Sequence, residues 1–238
     1  MHSDLLPPSF GPRLKHLLDR FICPDLRGAL FSYVSATGDQ ETHTDTALWQ
    51  EGKKGIILNA DEYEALAEHL NGDPIGFKYS TKPDGSRQGI KHLYPLVQDR
   101  TMVGRKGVHF ATAKYSIGNS LVIFRSSAET QPRPGQIQRI FVHSRPSASN
   151  QNIQEIFYAV KEFLPLGDDE AHLDPYRKFP LVDVKLYRDE LASKITMIRT
   201  PNIISHFASC PYRIPGSPHP YRVVLSLDRV RKSTLTSA

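Results

Sequence analysis

The stretch GQIQRIFVH, residues 135–143, has the composition of a β-strand. Its apolar side chains are mostly β-branched or aromatic, and such side chains suit a pleated sheet. Gln136 and Gln138 alternate imperfectly with Ile137, Ile140 and Phe141, and a polar His143 ends the run. This alternation predicts a strand that has one solvated face.

Similar runs on both sides of this strand make the second half of the chain rich in β-structure. They are short, they recur about every 20 residues, and loops containing Gly, Pro and Ser separate them. The runs are Tyr115–Phe124, Ile156–Phe163, Val182–Tyr187, Ile195–Ile204 and Tyr221–Leu227. Short strands at this spacing predict a small antiparallel β-barrel with long loops.

The first half contains the clearest helical pattern, at residues 59–72. Asn59 or Asp61 can cap its amino end, acidic residues fill its first turn, and Asn71-Gly72 offers a left-handed stop. Gly55–Leu58 just before it is typical of a short buried strand. A turn at residues 82–86 predicts a hairpin tip, residues 12–22 predict another helix, and residues 35–46 predict a loop.

These patterns divide the chain into three predicted parts. Residues 1–107 form an α+β lead segment, residues 108–230 form the β-barrel module, and residues 231–238 form a basic tail. The fold class is therefore mainly β, with a small barrel preceded by a helix-containing segment.

The net charge follows the same division. Residues 1–107 hold 13 Lys+Arg and 14 Asp+Glu, a balance of −1, whereas residues 108–238 hold 17 and 11, a balance of +6. A positive surplus favours a polyanionic partner, although scattered single arginines are also typical of an ordinary solvated surface. The candidate nucleic-acid contacts are Arg125, Arg133, Arg139 and Arg145.

Several classes of protein do not fit this sequence. No run reaches the roughly 20 apolar residues that a membrane-spanning helix requires, so no membrane partner is expected. The amino terminus has no secretory pattern, and two distant cysteines, Cys23 and Cys210, indicate a reducing compartment. The chain also lacks the glycine spacing of a phosphate-binding loop and the Gly-x-Ser-x-Gly turn of hydrolases.

The chemistry-bearing side chains give two weak metal candidates. His206, Cys210 and His219 supply only three ligands and no ligand pair, which argues against zinc. Asp168, Asp169 and Asp174 could bind a divalent cation, and a metal-dependent nuclease or transposase fragment is therefore the alternative hypothesis. A solvated acidic loop explains these carboxylates better, so we predict no catalytic residue, no metal and no cofactor.

Five segments of the second half resemble a region of large fungal transposon-encoded proteins. The segments are Asn119–Phe124, Gly135–His143, Phe163–Leu166, Asp174–Arg177 and Ile203–Ala208. They resemble the carboxy-terminal tail of the transposase-related chains of Kyakuja-Dileera-Zisupton and Plavaka-like elements. The resemblance covers about residues 107–230 and implies an accessory region that follows the catalytic core.

The strand layout is also similar to an SH3-like barrel of the bromo-adjacent homology type. The runs from Tyr115, Gly135 and Ile156 and the segment Ile203–Cys210 take the positions of that module's strands. The resemblance implies a non-enzymatic, nuclear module that binds chromatin, another protein or DNA, in an oligomeric state that stays open. The chain lacks that family's clear aromatic cage, although four rings could bind a quaternary ammonium group unless they belong to the core: Tyr158, Phe163, Tyr176 and Tyr187.

Overall fold

The computed structural model describes residues 53–73, 78–82, 90–105, 107–126, 131–146, 151–179 and 183–227. The chain divides into two compact units, residues 1–44 with 104–108 and residues 45–103 with 109–238. Both described helices and the eight-stranded sheet belong to the second unit. The predicted helix at residues 12–22, the loop at 35–46 and the basic tail at 231–238 lie outside the described residues.

The described residues form two α-helices, twelve strands and three short 3-10 turns. The helices are α1 (Ala60–Asn71) and α2 (Ile117–Ser120). The first six strands are β1 (Ile56–Ile57), β2 (Lys78–Ser80), β3 (Ile90–His92), β4 (Leu96–Arg100), β5 (Met102–Arg105) and β6 (Val108–Ala111). The next six are β7 (Leu121–Phe124), β8 (Arg133–Pro146), β9 (Asn152–Pro165), β10 (Val184–Arg199), β11 (Ile203–Tyr212) and β12 (Tyr221–Ser226). The 3-10 turns are Ala171–Leu173, Pro175–Lys178 and Thr200–Asn202. Neither described helix is long and apolar enough to cross a lipid bilayer.

Six antiparallel strands close into a barrel. Their order is β8-β7-β11-β12-β10-β9, and β9 pairs again with β8 to complete the ring. Each neighbouring pair is antiparallel. The prediction of a small antiparallel barrel preceded by a helix is confirmed.

One barrel strand, β8, also pairs with a strand outside the barrel. The carboxyl-terminal half of β8 pairs with β4, from Val97 opposite His143 to Arg100 opposite Ile140, and β1 pairs with β4. Because β1 and β4 precede residue 107, the eight-stranded sheet crosses the predicted domain boundary. Backbone pairing between distant segments leaves no local mark on composition, which is why the change in charge at residue 107 does not coincide with the edge of the sheet.

Helix α1 begins and lies where its sequence predicts. The Asn59 side chain accepts a hydrogen bond from the Glu62 amide at 2.8 Å, and the Glu62 carboxylate accepts one from the Asn59 amide at 3.4 Å. This capping box satisfies two amides that the helix itself leaves unpaired. The predicted left-handed stop is wrong, because Gly72 has a φ of −76° and its amide donates to Glu68 and His69 within the last turn.

An aromatic contact identifies the inner face of the barrel. The rings of Phe163 on β9 and Phe207 on β11 lie 6.0 Å apart, although these two strands stand opposite each other in the ring. Only side chains that point inward can meet across a closed barrel. The interior residues in this cluster are Leu121, Ile123, Phe163, Phe207 and Val224, with Tyr187 and Leu191 packed against them.

A second hydrophobic cluster lies between α1 and the sheet. It joins Leu66 and Leu70 of α1 to Phe141, Phe157 and Met197 of the long strands. Phe157 and Phe163 are six positions apart on β9, so they point to the same face. Helix α1 therefore covers a continuation of the surface that lines the barrel.

The predicted solvated face is present only in the first part of residues 135–143, where Gln136 and Gln138 are partly exposed around the buried Ile137. The side chains of Ile140, Phe141, Val142 and His143 are all fully buried, so both faces of β8 are covered here. The polar His143 is accommodated because its Nε2 donates to the Tyr94 carbonyl at 2.8 Å. Since that partner lies 49 residues away, the alternation within β8 could not reveal the burial.

Three other local predictions need correction. The runs Val182–Tyr187 and Ile195–Ile204 are joined, because β10 continues from Val184 to Arg199 through two register shifts. The segment predicted as a buried strand at residues 55–58 gives β1, whose Ile57 is 69% exposed because β1 is an edge strand. Strands β2 and β3 flank the predicted turn but pair in parallel, so they do not form a hairpin; residues 83–89 lie outside the described residues.

Candidate functional site

A cavity of about 310 Å³ opens at one end of the barrel, beside α2. Five of the six barrel strands contribute to its wall. We call the cavity and its lining the barrel mouth; the lining residues are Ile117, Leu121, Gln136, Phe163, Asp189, Leu191 and Arg222.

An ion pair forms the polar side of the barrel mouth. Nε of Arg222 donates to Oδ1 of Asp189 at 2.6 Å, and Nη1 donates to the Ser209 hydroxyl at 2.8 Å. The guanidinium carbon lies 5.4 Å from the centre of the Phe163 ring, within the range of a cation–π contact. Both ion-pair side chains are partly buried, so the guanidinium is held in one orientation.

A β-bulge places Asp189 at this wall. The pairing of β10 with β9 shifts register between Tyr187 and Leu191, and Asp189 lies inside that irregular segment. Bulges at barrel rims redirect side chains in this way. An aspartate that would weaken a regular strand thus reaches the arginine of β12.

A buried phenol lies close to the barrel mouth. Tyr187 belongs to the interior cluster, and burial raises the pKa of its phenol to about 12. The phenol therefore stays protonated at physiological pH. At the wall, the Gln138 amide nitrogen donates to Oε1 of Gln136 at 3.1 Å, which leaves the Gln136 amide nitrogen as the donor toward a ligand.

The barrel mouth combines apolar walls with a fixed set of polar groups. Leu121, Phe163, Leu191 and Ile117 supply apolar surface, while Arg222 supplies charge that Asp189 balances. Such a site can bury an aliphatic side chain and hydrogen-bond a polar group next to it. Among the described residues, no three His, Cys, Asp or Glu side chains lie where they could bind one metal ion.

The four predicted ligand-binding rings do not share one pocket. Tyr158 and Phe163 are five positions apart on β9 and point to opposite faces. Tyr158 is fully buried, whereas Phe163 lines the barrel mouth. Tyr187 lies in the interior beside Phe163, and Tyr176 lies in the 3-10 turn Pro175–Lys178. Of the four, Phe163 is the residue that the structure places in a cavity.

Three of the four predicted nucleic-acid contacts are engaged within the chain. Arg133 pairs with Glu162 at 2.8 Å, and Arg139 pairs with Asp99 at 2.7 Å and also with Glu62 of α1. Arg145 pairs with Glu155 and is 8% exposed. Arg125 is exposed at the end of β7.

The predicted acidic group serves the local fold instead of converging on one point. Asp174 accepts hydrogen bonds from the Tyr176 amide at 2.9 Å and the Leu186 amide at 3.4 Å, and it thereby caps a 3-10 turn and fastens it to β10. Asp168 and Asp169 are exposed, and the neighbouring Glu170 is buried. Glu170 accepts from Arg188 at 2.8 Å and from the Tyr221 hydroxyl at 3.0 Å, and the bond from Arg188 is the main cause that lowers the pKa of Glu170.

The zinc candidates are likewise occupied by backbone groups. The two ring nitrogens of His206 lie 3.0 Å and 3.1 Å from the carbonyl oxygens of Leu121 and His109. The Cys210 thiol donates to the Pro211 carbonyl at 3.4 Å. Both contacts fit a structural role.

Comparison with protein-family models, with curated proteins and with solved structures finds no match to this chain. The site is therefore assigned from its geometry. Sequence reasoning missed six of the seven lining residues: Ile117, Leu121, Gln136, Asp189, Leu191 and Arg222. One signal was available, since the polar residues 188–190 interrupt two β-rich runs, as polar residues do at a bulge.

Proposed function

We propose that the chain is a non-enzymatic binding module whose barrel mouth takes up an aliphatic side chain of a protein partner. The observation that carries this proposal is the lining of the cavity. Apolar side chains from α2, β7, β9 and β10 share the wall of the cavity with Gln136 and the fixed Arg222–Asp189 pair.

The size of the cavity favours one side chain over a larger ligand. Pockets that bind drug-sized ligands and cofactors span roughly 300–1,000 Å³. The barrel mouth, at about 310 Å³, lies at the lower limit. Burying one leucine-sized side chain contributes roughly 2 kcal/mol, which is roughly a thirtyfold gain in affinity.

Exposed apolar residues near the opening support a protein partner. Ile117 is 66% exposed at the edge of the cavity, and Tyr115, two residues earlier, is 61% exposed. Exposed apolar groups beside a cavity are typical of interaction surfaces. A partner segment that inserts one side chain would cover both residues.

The ion pairs that the arginines form within the chain favour a protein partner over DNA. Six arginines of the basic half form ion pairs within the chain: Arg133, Arg139, Arg145, Arg188, Arg199 and Arg222. Guanidinium groups engaged in this way are not available to neutralise phosphates. Six of the 17 Lys and Arg side chains of this half are therefore committed to pairs within the fold, which favours a protein partner over DNA.

Chromatin as the setting, a nuclear location and a transposon origin rest on the two resemblances alone and stay predictions. The alternative function, a metal-dependent nuclease or transposase fragment, would use Asp168, Asp169, Asp174 or other carboxylates with Mg²⁺. The hydrogen bonds of Asp174 within the fold favour the binding module.

A selection from a random-peptide display library tests the proposal. The full chain is the bait, and each selected peptide is then measured against two variants, Ile117→Asp at the barrel mouth and Ile57→Asp on exposed β1. Both substitutions put a carboxylate at a site that is at least 66% exposed, so the fold is kept. We expect Ile117→Asp to weaken binding by at least about tenfold and Ile57→Asp to leave it unchanged.

Two results would contradict the proposal. One is a set of selected peptides that bind both variants equally, and the other is a selection that enriches no peptide. Cleavage of plasmid DNA by the purified chain with Mg²⁺ or Mn²⁺, abolished by alanine at Asp168 and Asp169, would favour the nuclease.

A further inference from the structure

A ring of ionisable side chains surrounds Phe157 beneath α1. The centre of the Phe157 ring lies 5.9 Å from that of His69 and 6.4 Å from that of His143. The guanidinium carbons of Arg145 and Arg199 each lie 5.6 Å from the same centre. We call these five residues, contributed by α1, β8, β9 and β10, the Phe157 cluster.

Two carboxylates balance the two arginines of the cluster. Arg199 makes a bidentate pair with Asp73, just after α1, at 3.0 Å and 2.7 Å, and its Nε lies 3.6 Å from Glu155. Arg145 pairs with Glu155. Within the described residues, the charged groups that act on His69 are Arg199, Asp73, Glu155 and Arg145, and those that act on His143 are Arg145 and Glu155. The Phe157 cluster together with Asp73 and Glu155 is therefore neutral while both histidines are neutral.

The histidines have buried nitrogens that no described group satisfies. His143 donates from Nε2 to the Tyr94 carbonyl, so its neutral form carries a lone pair on Nδ1, and that atom is buried without a partner. Nε2 of His69 and Nη1 of Arg145 are also buried without partners. A proton added to His143 would create a buried N–H with no acceptor, next to a guanidinium group.

Burial lowers the pKa of both histidines, and the nearby arginines act in the same direction. While α1 is packed on the sheet, the pKa of each of these histidines lies below its ordinary value, near 6.5. The packed state is therefore favoured while the histidines are neutral, and this contribution to its stability is lost as the pH falls below 6.5. Asp73 behaves differently, because its hydrogen bond with Arg199 lowers the pKa of its carboxyl. The Asp73 carboxyl thus stays ionised in mild acid, where the histidines are the groups whose charge changes.

We infer that α1 is an acid-sensitive cover, which opens from the sheet when His69 and His143 take up protons. Opening uncovers the apolar surface around Leu66, Phe157 and Met197, which is continuous with the barrel interior. Burial also lowers the pKa of the barrel's own histidine, His206, but a carbonyl oxygen beside each of its ring nitrogens opposes that shift. Protonated His206 can donate from both nitrogens, so proton uptake in β11 leaves no N–H without an acceptor, unlike proton uptake at His143.

Hydrogen exchange followed by mass spectrometry tests this inference on the full chain. Protection of residues 60–71 is compared with that of β11 and β12 at a pH of about 7.5 and about 5.5, on either side of the ordinary histidine pKa, after correction for intrinsic exchange rates. Each histidine that binds a proton on opening makes the opening constant grow up to about tenfold per pH unit below its ordinary pKa. We expect the protection of α1 to fall by about tenfold or more, while β11 and β12 keep theirs.

Variants identify the histidines responsible. His69→Gln with His143→Gln keeps neutral polar side chains and should remove the extra loss of protection in α1, whereas His219→Gln, at an exposed site, should preserve it. Equal protection of α1 at both pH values, or equal loss in α1 and in the barrel strands, would overturn the inference. An unchanged pH response in the double variant would also overturn it. The double variant could leave α1 unprotected even at neutral pH. In that case the single variant His69→Gln should show a smaller pH response of α1 than the natural chain does. An unchanged response would refute the role of His69.

Discussion

A single added methyl group at Gly135 tests how tightly the barrel is closed. A Cβ atom on Gly135 would lie 2.6 Å from Cγ1 of Val160, 2.8 Å from Cε1 of Phe124 and 2.9 Å from the Lys161 carbonyl oxygen. Val160 and Phe124 are almost completely buried, and the carbonyl belongs to the backbone of the neighbouring strand β9. None of the three atoms is the end of a flexible side chain that can swing away.

The expected destabilisation follows from these contacts. Forcing an extra methyl group into a packed interior costs about 1–3 kcal/mol, and the lower unfolded-state entropy of alanine returns about 0.5–1 kcal/mol. The difference spans about 0–2.5 kcal/mol, and because all three contacts are shorter than 3.0 Å we expect Gly135→Ala to lower the free energy of unfolding by about 1–2 kcal/mol. For a chain of this size that corresponds to a Tm lower by roughly 2–8 °C.

Gly118→Ala is the matched control, because no atom lies within 4 Å of its added Cβ and Gly118 is in α2. Alanine favours the helix, so this variant should be as stable as the natural chain or slightly more stable. Urea unfolding of both variants gives the comparison. If Gly135→Ala were as stable as Gly118→Ala, the close approach of β7, β8 and β9 would be refuted.

Three further changes test the ion pairs and the interior. Arg139→Met leaves the buried Glu62 carboxylate without its guanidinium, which should lower the free energy of unfolding in urea by about 3–5 kcal/mol. Adding Glu62→Gln should recover most of that loss. Equal stability of the single and double variants would contradict the pairing. Tyr187→Phe removes a phenol whose pKa is raised by burial to about 12, so the natural chain should lose stability as the pH rises toward that value. In a near-ultraviolet titration the natural chain should also show one more late-ionising tyrosine than the variant. Identical titrations would show that this phenol is not buried. Asp174→Ala removes the acceptor for the Tyr176 and Leu186 amides and should cost about 1 kcal/mol without affecting peptide binding at the barrel mouth; loss of peptide binding in a folded variant would place the site elsewhere.

Local interactions explain which parts of the fold could be predicted from the sequence. Helix α1 was predicted because the capping contacts of Asn59 with Glu62 lie three residues apart. The barrel class was predicted because most of its strands are apolar runs in the sequence. The length of β10 was not, because the polar residues 188–190, 193 and 194 lie at or near its register shifts and resemble a loop in isolation.

Non-local contacts explain what the sequence could not reveal about the site. Phe163 was identified because an aromatic residue in a predicted strand can be recognised from the sequence alone. The Arg222–Asp189 pair was not, because it depends on β12 pairing with β10 and on a bulge that turns Asp189 toward Arg222. Arg139 and Arg145 were taken for surface cations because their carboxylate partners, Glu62 and Glu155, reach them only through the folded sheet.

Methyl-labelled NMR during titration with a library-selected peptide tests the barrel mouth most directly. We predict saturable shifts of the Ile117, Leu121 and Leu191 methyl groups, with those of Ile56 and Ile57 on the exposed β1 unchanged. Shifts confined to β1, with the barrel-mouth methyl groups unmoved at saturation, would contradict the assignment of the barrel mouth as the binding site.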